Sequence, residues 1–288
     1  MAAGNTLVVI DESGLTPDEK SSGWVLTCAR SAVDDVQLAI EDLGDFKLPA
    51  PKTYPCRIHS LEKLAPDVLK VVLRLPPQQQ FAYFPGQYVD VIGAGGIRRS
   101  YSMANAPSAE KCIELHVRQV PDGAMSQYWF EQAKPNDLLR LNGPLGTFFL
   151  RDVAGLDLVF LATGTGFAPV KAMLEELAGA AEHNRPRSIS VYWGGRTTQD
   201  LYLDAMAPGV EHRFVPVLSR PDALWAGARG HVQQALLADK PRLSQTVVYA
   251  CGSDAMIHSA RQALTAAGLP ERCFHSDAFV PSSHNLTK

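Results

Sequence analysis

The chain has 288 residues, 46% hydrophobic and 20% charged, the balance of a globular protein with room for two domains and part of a third. A net charge of -3 leaves no basic excess to neutralise phosphates, which argues against nucleic acid or an anionic membrane as partner. The five cysteines (28, 56, 112, 251 and 273) are odd in number and scattered without a C-x-x-C pair, so they signal no zinc site, redox dithiol or secreted disulfide framework.

The first residues, Met1 to Thr6, carry no basic start and no apolar core, and the most apolar stretch, 156–170, is broken by Asp157 and a glycine turn. The expectation is a cytoplasmic protein. Residues 1–49 read as a small piece of their own. Leu7–Ile10 suggests a strand, Thr16 followed by Pro17 a helix start with Thr16 as cap, and Gly23–Cys28 a second strand. Leu48-Pro49-Ala50-Pro51-Lys52 has the composition of a linker.

From 50 to 152 the sequence is strand-rich. Tyr54–Ile58, Val68–Leu75 and Cys112–Arg118 are short and β-branched or alternating, with one helix near 124–133, which predicts a closed antiparallel barrel. Gly143-Pro144-Leu145-Gly146 at its exit reads as a structural turn. From 153 to 281 strands alternate with helices: Leu158–Leu161, a helix over 169–182, Ile189–Trp193, Arg213–Val217 and Thr246–Ala250. That rhythm predicts a doubly wound parallel sheet covered on both faces. The polar tail, 282–288, is expected to be mobile.

Two strings carry most of the chemistry. In Arg99-Ser100-Tyr101-Ser102 the two-residue period puts Arg99 and Tyr101 on one strand face and Ser102 on the other. A guanidinium can grip pyrophosphate oxygens, a phenol ring offers a stacking surface to a fused heterocycle, and a hydroxyl can hydrogen-bond a ring nitrogen. An exposed strand with ordinary charged and aromatic residues would read the same way. Gly123-Ala124-Met125-Ser126 opens the barrel's helix, where backbone amides could supply a second grip on an anion; a hairpin loop running into a helix is the plainer reading.

The second string, Gly164-Thr165-Gly166-Phe167-Ala168-Pro169, follows a strand and opens a helix. Pro169 stands where a dinucleotide fingerprint has its third glycine, and no acidic residue ends the next strand, where Gly194-Gly195-Arg196 lies instead. An ordinary Rossmann dehydrogenase is therefore disfavoured. Cys251-Gly252-Ser253 ends a further strand at the carboxyl edge, where such sheets bind ligands. A buried inert thiol is the usual fate of a free cysteine. The eight histidines do not cluster, so no metal site is expected.

Taken in order, these strings make the chain resemble the ferredoxin–NADP reductase superfamily over residues 53–280. It is most similar to its oxygenase-reductase, NADH:flavin reductase and CDP-6-deoxy-glucoseen reductase group, through Trp193-Gly194-Gly195-Arg196 and Ser276-Asp277-Ala278-Phe279. The resemblance implies FAD on the barrel, a pyridine nucleotide on the α/β domain, and hydride passing from nicotinamide C4 to flavin N5. By position Arg99 would hold the pyrophosphate, Tyr101 stack on the isoalloxazine and Ser102 bond near N5, with Ser100, His116 and Val117 around them. Gly123, Ala124, Met125 and Ser126 would support the pyrophosphate. Thr163, Gly164, Thr165, Gly166, Ala168 and Pro169 would receive the nicotinamide dinucleotide, with Gly195, Arg196, Arg220, Gly252 and Ser253 beside it. Cys251 would lie near the reacting ring and Phe279 would shield the flavin. NADH is favoured over NADPH because one arginine, Arg196 or Arg220, is thin provision for a 2′-phosphate.

Gly23–Cys28 also resembles the last strand of a plant-type ferredoxin domain. Cys28 matches only the final ligand of a two-iron cluster, whose other three thiolates would lie before Met1. The piece is expected to be a truncated or decayed remnant, truncation being favoured by how well Trp24–Cys28 is kept, with no cluster held by this chain. The expected acceptor is then a separate iron–sulfur protein or a small molecule. The alternatives are a reductase of free flavin and a nucleotide-binding electron-transfer subunit without turnover.

Overall fold

A computed structural model describes residues 3–12, 15, 17–40, 43, 46–203 and 209–279. The expected Thr16 cap and the expected mobile tail lie outside the described residues. The chain divides into an amino-terminal unit reaching Lys47 and a larger unit, Leu48–Phe279.

In the smaller unit β1 (Thr6–Val8) pairs antiparallel with β2 (Arg30–Ala32), and α1 (Pro17–Ser21) is a single turn and a half. The strand expected to reach Ile10 stops at Val8, because the amides of Val9 and Ile10 both donate to the Ala29 carbonyl. Gly23–Cys28 is not a strand. Trp24 N–H donates to the Glu19 carbonyl, Leu26 N–H to Glu12 Oε1 at 2.9 Å and Ala29 N–H to the Leu26 carbonyl, so turns and one carboxylate take the bonds a ladder would need. Cys28 is an exposed free thiol.

The larger unit begins with six antiparallel strands: β3 (Lys52–Ala65), β4 (Val68–Arg74), β5 (Tyr88–Ile92), β6 (Arg98–Ser102), β7 (Cys112–Arg118) and β8 (Leu138–Leu145), ordered β6-β5-β8-β3-β4-β7. The edges β6 and β7 meet through a bridge, Met103 to Leu115, and through Ala104 N–H donating to the Glu114 carbonyl at 2.8 Å, which closes the barrel. Ile58, Val71, Leu73, Val89, Val91 and Leu115 fill it, each with essentially no exposed surface. They are the β-branched and aliphatic residues that the period of two sends inward.

The helix expected over 124–133 is two pieces. A four-residue turn, α2 (Ala124–Gln127), passes into a wider five-residue turn, Tyr128–Gln132, in which Ala133 N–H reaches five residues back to the Tyr128 carbonyl. Trp129 is buried in the barrel core and donates from Nε1 to Tyr101 Oη at 3.0 Å, while Tyr128 Oη donates to Asp137. The wider turn lets adjacent aromatic side chains meet both demands.

The second half is a six-stranded parallel sheet of β9 (Asp157–Thr163), β10 (Ser188–Gly195), β11 (Arg213–Leu218), β12 (Ala228–Arg229), β13 (Thr246–Ser253) and β14 (Phe274–Phe279), ordered β12-β11-β10-β9-β13-β14. α3 (Phe167–Gly179) covers one face, and α4 (Val232–Ala238) with α5 (Asp254–Ala266) the other. α3 starts two residues before the expected position, so Pro169 sits in its first turn, where a missing amide costs little. The core on the α3 side also takes in Val68 from β4 and Phe148 from the barrel exit, so barrel and sheet share apolar packing.

Candidate functional site

At the carboxyl edge of the sheet, where β9, β10 and β13 end at Thr163, Gly195 and Ser253, lies a cleft of about 640 Å³. Its floor exists because three glycines let backbones touch. Gly164 has φ +55, a left-handed turn that L side chains adopt with strain. A Cβ on Gly166 would stand 2.2 Å from the Cys251 carbonyl oxygen, and one on Gly252 (φ +140) would stand 2.1 Å from Thr163 Oγ1. Thr163 Oγ1 also accepts from Ser253 N–H at 3.1 Å, and the Ser253 hydroxyl caps α5 by accepting from Met256 N–H. Thr163, Gly164, Thr165, Gly195, Arg196, Ser253 and Phe279 line the cleft.

The barrel sends one cation across. Arg118, at the end of β7, lines the cleft with its guanidinium carbon 3.6 Å from where a Gly164 Cβ would be. Its Nη1 donates to Asp200 Oδ1 at 3.1 Å, but among the described residues its buried Nε and Nη2 have no hydrogen-bond partner, and an Asp67 carboxylate oxygen is 3.6 Å from Nε. Burial opposes ionisation of Asp200, but the Thr197 amide and Arg118 outweigh it and hold its carboxyl below the usual range. On the far wall Gln233, 4% exposed, donates to Ser259 Oγ at 2.8 Å, and its Oε1 has no partner among the described residues. Buried donors and acceptors without partners are rare and costly, so these three atoms mark the cleft as the place to look for polar chemistry.

The other expected residues fall elsewhere. Ala168 and Pro169 are buried in α3, Cys251 has no exposed surface, and Arg220 is exposed off the lining, its amide bonded to the Arg196 carbonyl. Burial pushes the Cys251 thiol well up, so it stays protonated and inert. On β6, Arg99 donates to the Arg98 carbonyl and has no acidic partner among the described residues. Ser100 instead points outward and donates to Asp90 Oδ1 at 2.6 Å. Tyr101 is mostly buried, its phenol pushed up to about 12 by burial, and Ser102 is 6% exposed with no hydrogen-bond partner for its hydroxyl among the described residues. Gly123 precedes α2 without a side-chain cap, Ala124 and Met125 form its first turn, and Ser126 Oγ accepts from Val120 N–H at 2.7 Å, closing that loop. Val117 faces the barrel core, and His116 is enclosed between barrel and sheet, so neither side chain reaches the cleft.

Residues 55–150 match the oxidoreductase FAD-binding domain family and residues 160–262 the oxidoreductase NAD-binding domain family. The CDP-6-deoxy-L-threo-D-glycero-4-hexulose-3-dehydrase reductase of Yersinia pestis is 45% identical over 272 residues, 93% of this chain and 81% of that protein. The reductase component 2 of terephthalate 1,2-dioxygenase from Comamonas is 33% identical, covering 92% of this chain and 80% of its own length. Among solved structures, the Amycolatopsis cytochrome P450 reductase superposes with TM-score 0.77 at 30% identity, covering 98% of this chain and 86% of the other. The chain belongs to the ferredoxin reductase family of FAD- and NAD-binding oxidoreductases.

Of the residues that line the cleft, sequence reasoning missed Arg118, Asp200 and Gln233. The signal for Arg118 was available: the period of two on β7 sends 113, 115 and 117 inward and 114, 116 and 118 out. Asp277 lies opposite Cys251 in the β13–β14 register, and burial pushes its carboxyl up to about 6. No short spacing foreshadows Asp200 or Gln233. No helix among the described residues is long and apolar enough to cross a membrane.

Proposed function

We propose that this chain is an FAD-containing NADH reductase that delivers electrons to a separate iron–sulfur protein, with residues 50–152 carrying FAD and 153–281 carrying the coenzyme. When bound, the flavin supplies the chemistry: it takes a hydride from the nicotinamide and releases electrons onward. The residues present fit both groups. The observation that carries the reading is Arg118 at the Gly164 turn: Asp200 takes its Nη1, while Nε and Nη2 have no hydrogen-bond partner among the described residues and are set to donate to a pyrophosphate across the two halves. On the barrel, the Arg99 guanidinium, the Tyr101 ring and the unpartnered Ser102 hydroxyl follow one another along β6. They would hold a pyrophosphate, stack against a tricyclic ring and bond a ring nitrogen. Phe279, 36% exposed on the cleft wall, would cover the ring until the coenzyme displaces it.

Preference for NADH is supported by the cleft's make-up. Arg196 has Asp200 4.0 Å away, Arg220 is off the lining, and Ser219, Gln233 and Ser259 are neutral. That is a weak grip for a 2′-phosphate. A protein acceptor is supported by the likeness to reductases whose names pair them with a dehydrase or a dioxygenase.

The test is the visible spectrum and iron content of the purified protein, followed anaerobically on adding NADH or NADPH. Flavin absorbance without iron that bleaches faster with NADH is expected. A colourless protein, or faster bleaching by NADPH, overturns the corresponding half of the reading.

A further inference from the structure

β7 turns a second polar group toward the parallel sheet that the coenzyme reading leaves unused. The His116 side chain has no exposed surface. Its Nε2 lies 2.8 Å from Glu114 Oε1, and its Nδ1 lies 3.0 Å from the Tyr202 hydroxyl. Glu114 is held ionised against burial by His116 and by Lys171, whose Nζ is 3.2 Å away. A carboxylate only accepts, so Nε2 carries the proton and Nδ1 accepts from Tyr202. Burial, opposed by Glu114, lowers the proton affinity of the imidazole and keeps this neutral arrangement.

Tyr202 belongs to the other half of the unit, beyond β10, and it is a wedge. Its ring stands edge-on to Trp193, centroids 5.0 Å apart at 89°. Trp193 lies flat on Phe167 at 4.2 Å and 16°, and its Nε1 donates to the Gly164 carbonyl at 3.0 Å. One run of contacts thus joins a barrel strand to the turn at the base of the cleft: Glu114, His116, Tyr202, Trp193, Gly164. Apolar packing tolerates a small slide between two surfaces. A buried imidazole with both nitrogens bonded does not, because sliding leaves a polar atom unpaired.

We propose that His116 is a positioning residue for flavin reduction: by accepting the Tyr202 hydroxyl it fixes the Tyr202–Trp193 wedge against the Gly164 turn, and so sets the bound nicotinamide against the flavin half. This rests on the cleft being the coenzyme site. Hydride transfer depends steeply on ring separation, so loosening the link slows the reducing step more than it weakens coenzyme binding.

The experiment is anaerobic stopped-flow reduction of the flavin-loaded protein by NADH, with melting temperatures measured in parallel. Tyr202→Phe keeps the wedge and removes only the hydroxyl. The expected result is a limiting reduction rate down about tenfold, with the apparent NADH dissociation constant changed less than about twofold. His116→Leu should lose as much, and Tyr202→Phe with His116→Leu together no more than either alone, because they break one link. His116→Asn, whose amide oxygen can stand near the Nδ1 position, should recover most of the rate. A lower melting temperature with an unchanged limiting rate, or additive losses in the double variant, overturns the proposal. If His116→Leu fails to fold, Tyr202→Phe decides alone. A wild-type flavin that NADH does not bleach overturns the cleft reading itself, and is distinct from variants matching a competent wild type.

Discussion

The two units of this chain are held together in opposite ways. Between Leu48 and Phe279 most of the aliphatic and aromatic residues are inside, and the buried side-chain polar atoms without a partner among the described residues, on Arg118 and Gln233, lie at one cleft. In the amino-terminal unit many aliphatic residues are outside: Leu7, Val8, Val9, Ile10, Val33 and Ile40 are about half to three-quarters exposed, and Trp24 is 49% exposed. Besides Ala29, what it buries among the described residues is Glu12, 3% exposed, gripped by Arg30 through Nε and Nη2 at 2.8 Å each and by the Leu26 amide. A core can absorb a lost methyl, whereas a single polar knot fails when one partner goes. The comparison predicts that damage to the larger unit shows in catalysis, while damage to the smaller one stays local.

The largest effect should come from the closest backbone approach. Gly166→Ala puts a methyl 2.2 Å from the Cys251 carbonyl oxygen and 2.8 Å from the Gly252 Cα, so the turn that opens α3 must move away from the end of β13. We expect kcat/KM for NADH to fall by about a hundredfold, while Gly179→Ala at the end of α3, where a Cβ meets nothing, leaves it unchanged. Equal effects at the two positions would show that helix propensity, not the approach of turn to strand, is being measured.

Arg118→Leu comes next. It removes the cation that reaches the Gly164 turn from the barrel, and its partner Asp200 keeps the Thr197 and Arg196 amides. KM for NADH should rise about tenfold, with flavin content and the spectrum of the bound flavin unchanged. Loss of flavin instead would move Arg118 from the coenzyme to the barrel's own cofactor.

The contrast between the units also governs what could be read from sequence. The strand ends with their glycines were legible because a tight turn or a backbone contact restricts the residue type at one position, as at Gly164 and Gly252. About two-thirds of the strands were legible from alternation and from apolar runs, several of them running on where ladder partners continued them. β5, β8, β12 and β14 were not, and residues 143–145, expected as a turn, end β8 as a strand paired with β3 and β5. Arg118, Asp200 and Gln233 were not legible as a group, because only the folding of barrel onto sheet brings them together. Cys251 shows the reverse error: its motif sits at the right edge, but its thiol packs into the core beside Phe160 and Phe167. In the smaller unit Gly23–Cys28 has the residues of a strand, and one carboxylate sixteen positions before Cys28 takes the Leu26 amide and makes it a turn.

That carboxylate gives the smallest expected effect on catalysis and the sharpest test of locality. The hydrogen bond from Arg30 and that from the Leu26 amide lower the Glu12 pKa from 4.5 to about 2. A depressed carboxyl pKa means that the unfolded segment binds the proton more tightly, so the knot's contribution is fully present above 4.5 and is lost as pH falls through about 2. Hydrogen exchange at the Leu26 amide should therefore speed up, relative to its intrinsic rate, as pH drops through that window, while amides in β9 and β13 hold their protection. Glu12→Gln should produce the same loss of protection at neutral pH, since a neutral amide cannot hold the guanidinium by charge. The limiting rate of flavin reduction should not move, because no residue of the knot lines the cleft. If that rate falls along with Leu26 protection, the smaller unit is coupled to the catalytic one and the division at Lys47 is not a functional boundary.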